Sequence, residues 1–218
     1  MPRRSSIASF MWHPRIAGKS IRRQFLHHNY ALACPCHKQE RSYTCVAACV
    51  KMALQYFGVK IDELKFYKKS QLSADFEGLC DVCIVPELSR MGFKLVSYWN
   101  GRLEDWGVWT QDLARLYRIA EKRARRINSY VRRRNATVET IKGFIDKGVP
   151  VIAEVLAGKF YSSHDIGTHT IVIRGYNRKG FFVCDPYAGS YLLSYKRFVR
   201  AWIPSKRFGR SLMIILPK

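Results

Sequence analysis

Gln39-Glu40-Arg41-Ser42-Tyr43-Thr44-Cys45-Val46-Ala47-Ala48-Cys49-Val50-Lys51-Met52-Ala53-Leu54-Gln55-Tyr56-Phe57-Gly58 is the stretch on which the fold turns. Val46, Cys49, Val50, Ala53, Leu54 and Phe57 recur at the i, i+3, i+4 spacing of an amphipathic helix. Gly58 supplies the left-handed residue that ends it. The periodicity begins at Cys45, which therefore stands at a helix N-terminus. A thiol is a strong nucleophile only as thiolate, and the unpaired N–H groups and positive dipole end there favour that form. Gln39 lies six residues upstream of the helix, where a side-chain amide can fold back beside the thiol. Its N–H₂ and the Cys45 N–H would then be two donors for a developing oxyanion.

Outward from this helix, short helices are expected over Ile61–Lys69 and Val82–Met91, with a strand at Phe93–Trp99. A further helix follows over Thr137–Lys147, with Thr137 as N-cap. Apolar and β-branched runs then follow closely: Val149–Val155, Thr170–Tyr176, Gly180–Cys184, Ser190–Leu193 and Ser211–Leu216. Asn177-Arg178-Lys179-Gly180 reads as a hairpin turn, and Lys196–Trp202 as a short helix. Helices first and an antiparallel sheet afterwards make an α+β architecture, the helical part packed on the sheet.

The chemistry needs a base for the thiol and a group to orient that base. His169 opens one of these strands, and Asp185 closes the next, before Pro186. Adjacent antiparallel strands joined by a tight turn bring the two side by side. His164, in the loop Tyr161-Ser162-Ser163-His164-Asp165, is the rival base; strand ends hold catalytic groups more rigidly than loops. Cys49 lies one turn beyond Cys45 and Cys184 precedes Asp185, both at positions expected to face inward.

Gln39 with Cys45-Val-Ala-Ala-Cys-Val-Lys-Met, His169-Thr-Ile-Val-Ile-Arg-Gly-Tyr, and Cys184-Asp185-Pro186-Tyr-Ala-Gly followed by Phe198 together resemble the bacteriocin-processing, double-glycine leader peptidases. Those are papain-like cysteine peptidases, and the likeness spans roughly residues 37–203. It implies a papain-like fold and peptide-bond hydrolysis through a thioacyl-enzyme, with no metal or other cofactor. It also implies Cys45 as nucleophile, His169 as base, Asp185 as its orienting group and Gln39 in the oxyanion hole. The chain departs from the family at Val46, where Gly is usual, and in a long basic segment over 103–135. A non-proteolytic member of the same fold therefore stands as the alternative.

Composition sets the bounds. The 218 residues, 48% apolar, are enough for one domain with a core. Lys and Arg number 38 against 16 acidic residues, a formal net charge of +22, which favours polyanionic partners. Residues 1–36 read as a basic N-terminal arm, and 37–218 as the peptidase domain with its basic helical insertion at 103–135. Ser20–Leu26 faintly resembles a twin-arginine signal, but His27-His28-Asn29-Tyr30 is too polar for the apolar region of one. In the insertion, Leu113, Leu116, Ile119 and Ala120 give a helical stripe among cations from Arg115 to Arg134. Nucleic acid or an anionic surface is a candidate partner for these, beside the peptide or protein substrate. Trp106 and Trp109, with Tyr43, Trp99 and Trp202, are read as core or cleft walls. No run approaches the ~20 apolar residues of a membrane span. Seven cysteines fit free thiols in a reducing, cytoplasmic setting. Cys34, Cys36, Cys80 and Cys83 offer a possible zinc site at unusual spacing, or minor disulfides between the two pairs.

Overall fold

A computed structural model describes residues 30–99, 111–133, 136–162, 167–202 and 210–218. In chain order these form β1 (Tyr30–Ala31), α1 (Cys45–Tyr56), α2 (Glu63–Ser70), α3 (Asp81–Arg90), β2 (Phe93–Trp99) and α4 (Gln111–Arg126). Then come β3 (Tyr130–Arg133), α5 (Val138–Asp146), β4 (Val151–Leu156), α6 (Ala157–Tyr161), β5 (Thr168–Tyr176), β6 (Gly180–Asp185), β7 (Gly189–Ser194), α7 (Tyr195–Trp202) and β8 (Ser211–Pro217). The expected α+β architecture is observed. Seven strands run in the order β3-β2-β8-β4-β5-β6-β7, with β1 paired to β5 from outside that path.

One apolar cluster lies between α1, α2 and α3 and one face of the sheet, built from residues such as Val50, Met52, Leu54, Ile84, Leu88, Ile152 and Val172. The other face is covered by α5, α6 and α7 through Ile141, Ile145, Phe160, Phe198 and Trp202. Together these bury about a dozen large side chains completely, the main favourable contribution to folding. Gly58, Gly92 and Gly148 all take positive φ just past a helix end. Thr137 and Thr140 form a reciprocal capping box at the start of α5. Asn177 makes the expected turn, its Oδ1 accepting from the Lys179 and Gly180 N–H groups.

Three expectations are corrected. The segment after α4 is neither a longer helix nor a second one: Asn128 turns the chain at φ 53°. Tyr130–Arg133 then pairs parallel with β2, so the sheet is antiparallel except at that edge. Within α4 the buried residues are Tyr117 and Ala124, whereas Leu116 and Ile119 are 37% and 39% exposed. The Tyr117 hydroxyl donates to Asp81 at 3.0 Å, which fixes the roll of the helix on its axis. Finally, the body does not begin at residue 37. Leu32 and Cys34 are buried, and Tyr30 and Ala31 pair with Tyr176 and Gly175. Gly175 permits this approach, since a Cβ there would lie 2.2 Å from the Tyr30 carbonyl oxygen. Most of the arm, together with Trp106, Trp109, Arg134 and His164, lies outside the described residues.

Candidate active site

The site is built where α1 begins and where β5 and β6 end their pairing. Cys45 is the first residue of α1, partly exposed, at a position whose backbone N–H has no partner within the helix. His169 is the second residue of β5 and is 8% exposed. It sits opposite Val155 of β4, so the β4–β5 pairing fixes its backbone. Asp185 closes β6 and is wholly buried. The His169 Nε2 and Asp185 Oδ1 lie 2.8 Å apart, and the same imidazole interacts electrostatically with Cys45. With Nε2 facing the carboxylate, Nδ1 is the ring nitrogen left for the thiol. Residues 45, 169 and 185, far apart in the chain, therefore meet at one site.

Electrostatics follow from that meeting. Burial lowers the affinity of the His169 ring for its proton. The hydrogen bond to Asp185, the interaction with Cys45 and the adjoining charges outweigh it, and the imidazole is pushed up to about 9. Burial likewise raises Asp185, but the bonds and charge from His169, with the Tyr187 N–H and Tyr161, hold its carboxyl below the usual range. The arrangement favours a protonated imidazole beside an ionised carboxylate, which is the acid form needed to protonate a leaving amine.

Gln39 is placed beside this site: its N–H donates to the Pro186 carbonyl at 2.9 Å. Its side-chain amide is turned onto its own loop, however. Nε2 donates to the Arg41 and Ser42 carbonyls at 2.7 and 2.9 Å, while Oε1 is buried without a hydrogen-bond partner. The amide therefore does not present a free N–H to the thiol in this state.

Two functional residues escaped the sequence reading. Tyr161, the last residue of α6, and Tyr191 on β7 both donate their hydroxyls to Asp185 Oδ2, at 2.8 and 3.0 Å. The Tyr187 and Ala188 N–H groups reach Oδ1 at 2.8 and 3.2 Å. Every lone-pair direction of the buried carboxylate is thereby used. Tyr161 also packs its ring 5.5 Å from that of His169 and 5.6 Å from Tyr187, which is 69% exposed. Tyr191 was within reach of sequence logic: it pairs with Val183, so it lies diagonal to Asp185 on one face of the β6–β7 hairpin. Tyr161 carried no such signal, because α6 is five residues long and interrupts the strand periodicity.

The other candidates fall into place around the site. Cys49 is buried, its thiol 3.3 Å from the Thr170 carbonyl, and Cys184 is buried as well. Val46 packs into the α1-side core. Cys80 and Cys83 are joined to each other in a disulfide, which corrects the free-thiol reading and the pairings with Cys34 or Cys36. The start of α3 brings residues 80 and 83 to a Cα separation of 5.4 Å, within disulfide range. Among the described residues no group of three or more His, Cys, Asp and Glu side chains could hold a metal ion. No helix among them is long and apolar enough to cross a membrane.

The fold and the thiol–imidazole–carboxylate site define the papain-like class of cysteine peptidase architectures. Within that class the chain belongs to the Peptidase_C39 like family, whose model matches residues 31–209. Solved structures of the same fold include the peptidase domain of Streptococcus ComA, a bifunctional transporter of a quorum-sensing pathway. It shares 14% identity over 85% of this chain and 99% of that one, with a TM-score of 0.53. A C39-like peptidase from Bacillus anthracis shares 13% identity over 87% of this chain and 98% of that one, at 0.57. A double-glycine-motif protease from an AMS/PCAT transporter, solved with a leader peptide, shares 16% over 84% and 91%, at 0.50. None of the curated proteins compared matches the chain.

Proposed function

We propose that the protein is a cysteine peptidase that hydrolyses peptide bonds through a thioacyl-enzyme. The observation that carries this reading is a thiol at a helix start interacting with His169, which is itself hydrogen-bonded to a fully bonded Asp185. Cys45 Sγ attacks the substrate carbonyl carbon, and the carbonyl oxygen becomes an oxyanion. His169 then passes its proton to the leaving amine, and the acyl group remains on sulfur. Water, deprotonated by His169, releases it. The Cys45 N–H and the Gln39 amide are the oxyanion donors in this reading, so Gln39 gives up a loop carbonyl when substrate binds. A peptide substrate is supported by family membership and by the leader peptide bound to the AMS/PCAT protease.

The test is thiol reactivity. Iodoacetamide adducts mapped by mass spectrometry near neutral pH should accumulate on Cys45 well before Cys34, Cys36, Cys49 or Cys184. Uniform labelling would count against the nucleophile. Cys45→Ala should remove turnover of a peptide library and leave the circular dichroism spectrum in place.

The outer surface of α4 supports a second property of the same molecule, the capture of polyanions. Arg115, Arg118, Lys122, Arg123 and Arg126 are exposed there; Arg125 and Arg132 meet Glu121 at 2.8 and 2.7 Å. Arg132 also lies over the Trp99 ring. Affinity for a DNA oligonucleotide should fall steeply between 50 and 200 mM salt, by about 10³ if six phosphates are contacted. Binding indifferent to salt, or unchanged in an Arg118/Lys122/Arg123 triple alanine variant, would reject it.

A further inference from the structure

Among the described residues Glu63, like Asp185, is a wholly buried carboxylate that reaches the surroundings of the site. It is the first residue of α2, and it points away from its own helix toward the loop between Gln39 and Cys45. A single oxygen, Oε1, accepts the Glu40 N–H at 2.8 Å and the Thr44 hydroxyl at 2.6 Å. Its other oxygen has no hydrogen-bond partner, and its nearest cation is Lys51 Nζ at 3.8 Å. A buried carboxyl group with one oxygen left so poorly served is expensive to keep, and stability alone is a weak reason for it.

The two groups it grips explain the placement. Glu40 and Thr44 are the inner neighbours of Gln39 and Cys45, the two residues that carry the oxyanion donors in the peptidase reading. One carboxylate oxygen thus ties both ends of the intervening turn and sets the separation of the donors. Thr44 has a further consequence. It holds the N-cap position of α1, where a threonine hydroxyl normally accepts from the second or third helical N–H. Here it makes no such cap bond. The hydroxyl instead donates to Glu63 and accepts the Arg41 N–H at 3.1 Å. Glu63 therefore diverts the cap, and the first N–H groups of α1 remain available to negative charge at the thiol.

We infer that Glu63, acting through Thr44 and the Glu40 N–H, is a positioning residue for the oxyanion-stabilising loop of Cys45. This inference rests on the peptidase reading, and its test separates the two. Two reagents report different steps at the same sulfur. Iodoacetamide alkylates the thiolate by displacing iodide and forms no oxyanion. p-Nitrophenyl acetate acylates it: the Cys45 Sγ–carbonyl carbon bond forms, a tetrahedral oxyanion passes, and the carbon–oxygen bond to p-nitrophenolate breaks. Both rates are to be measured at Cys45 by mass spectrometry, with Cys45→Ala as the background.

In Glu63→Leu, which removes the acceptor oxygen, the acylation rate should fall about tenfold or more, short of the 10²–10³ lost when an oxyanion donor is removed outright, and alkylation should stay within about threefold. Thr44→Val should follow Glu63→Leu, and Thr44→Ser, which restores the hydroxyl, should return acylation toward wild type. Should Glu63→Leu fail to fold, the Thr44 pair decides alone. Parallel loss of both rates, or loss of neither, overturns the inference and leaves the peptidase reading standing. A wild-type Cys45 no more reactive than the other thiols overturns the peptidase reading and the inference with it.

Discussion

Asp185 and Asp81 are near-copies of one another as hydrogen-bonding sites, at opposite ends of the sheet. Asp185 accepts two tyrosine hydroxyls, from Tyr161 and Tyr191, together with backbone N–H groups and His169. Asp81 also accepts two tyrosine hydroxyls, from Tyr117 and Tyr130, with the Val82 N–H and the Ser97 hydroxyl. Both therefore satisfy a carboxylate with phenols from two separate elements. The difference is the remaining partner. At Asp185 it is an imidazole that interacts with a thiol at a helix start; at Asp81 it is a serine on β2. In the proposed reaction the first cluster bears on the Cys45 sulfur, and the second clasps α4 and β3 onto α3 and β2. Geometry of the carboxylate alone does not distinguish a catalytic site from a structural clasp; what stands on its far side does.

The comparison breaks most visibly under the same substitution at both sites. Asp185→Asn keeps shape but reverses one hydrogen-bonding edge, so the imidazole loses its tautomer and its counter-charge. Peptide turnover should fall about 10³–10⁴-fold while the fold persists. Asp81→Asn should leave turnover per folded molecule within about twofold and lower stability by about 1–3 kcal/mol, the cost of a disturbed buried polar group. Parallel measurement of turnover and thermal unfolding on the two variants decides it. Equal effects on turnover would erase the distinction.

Proton affinity sharpens the same contrast. The His169 imidazole should titrate near 9 by NMR in the wild type and fall back toward ~6.5 in Asp185→Asn, where the bond that raises it is gone. The sign for stability follows. A group held above its unfolded value contributes stability that is complete below ~6.5 and is lost as pH rises through about 9. Melting temperatures of the wild type should therefore decline over that window more than those of Asp185→Asn. Asp81→Asn should keep the wild-type slope, and a slope unchanged in Asp185→Asn would refute the pairing.

The two clusters also differ in how far the sequence discloses them. Cys45, His169 and Asp185 are legible because each marks the boundary of a periodic segment, and boundaries are where short-range patterns carry information. The hairpin from β5 to β6 was readable from Asn177 to Gly180 for the same reason. The Asp81 clasp was not, since Tyr117 and Tyr130 belong to a segment whose cations masked its period. Tyr117, Ala120 and Ala124 form the real inner stripe of α4, at i, i+3 and i+7, but the larger Leu116 and Ile119 compete with it on hydrophobicity alone. Parallel pairing of β3 with β2 was equally hidden, because parallel contacts leave no turn signal between the strands. Glu63 and Tyr161 escaped for a different reason: each acts through long-range bonds to a loop or a strand end, and no local spacing encodes that.

The smallest effects should come from removing single phenol oxygens, and they test whether the two clusters are organised alike. Tyr161→Phe and Tyr191→Phe each delete one donor to Asp185 Oδ2 and leave the other in place. Either change alone should lower kcat by about threefold to tenfold with KM little altered, since a net hydrogen bond is worth about 0.5–1.5 kcal/mol. Together they should exceed the product of the single effects, because the second deletion strips that oxygen of its last tyrosine donor. Tyr117→Phe and Tyr130→Phe should show the same non-additivity in unfolding free energy and none in kcat. Coupling in kcat at one end and in stability at the other would mean that two alike clusters of phenols serve different ends. Coupling in stability at both would mean that Tyr161 and Tyr191 hold β6 and β7 together and leave the imidazole to Asp185 unaided.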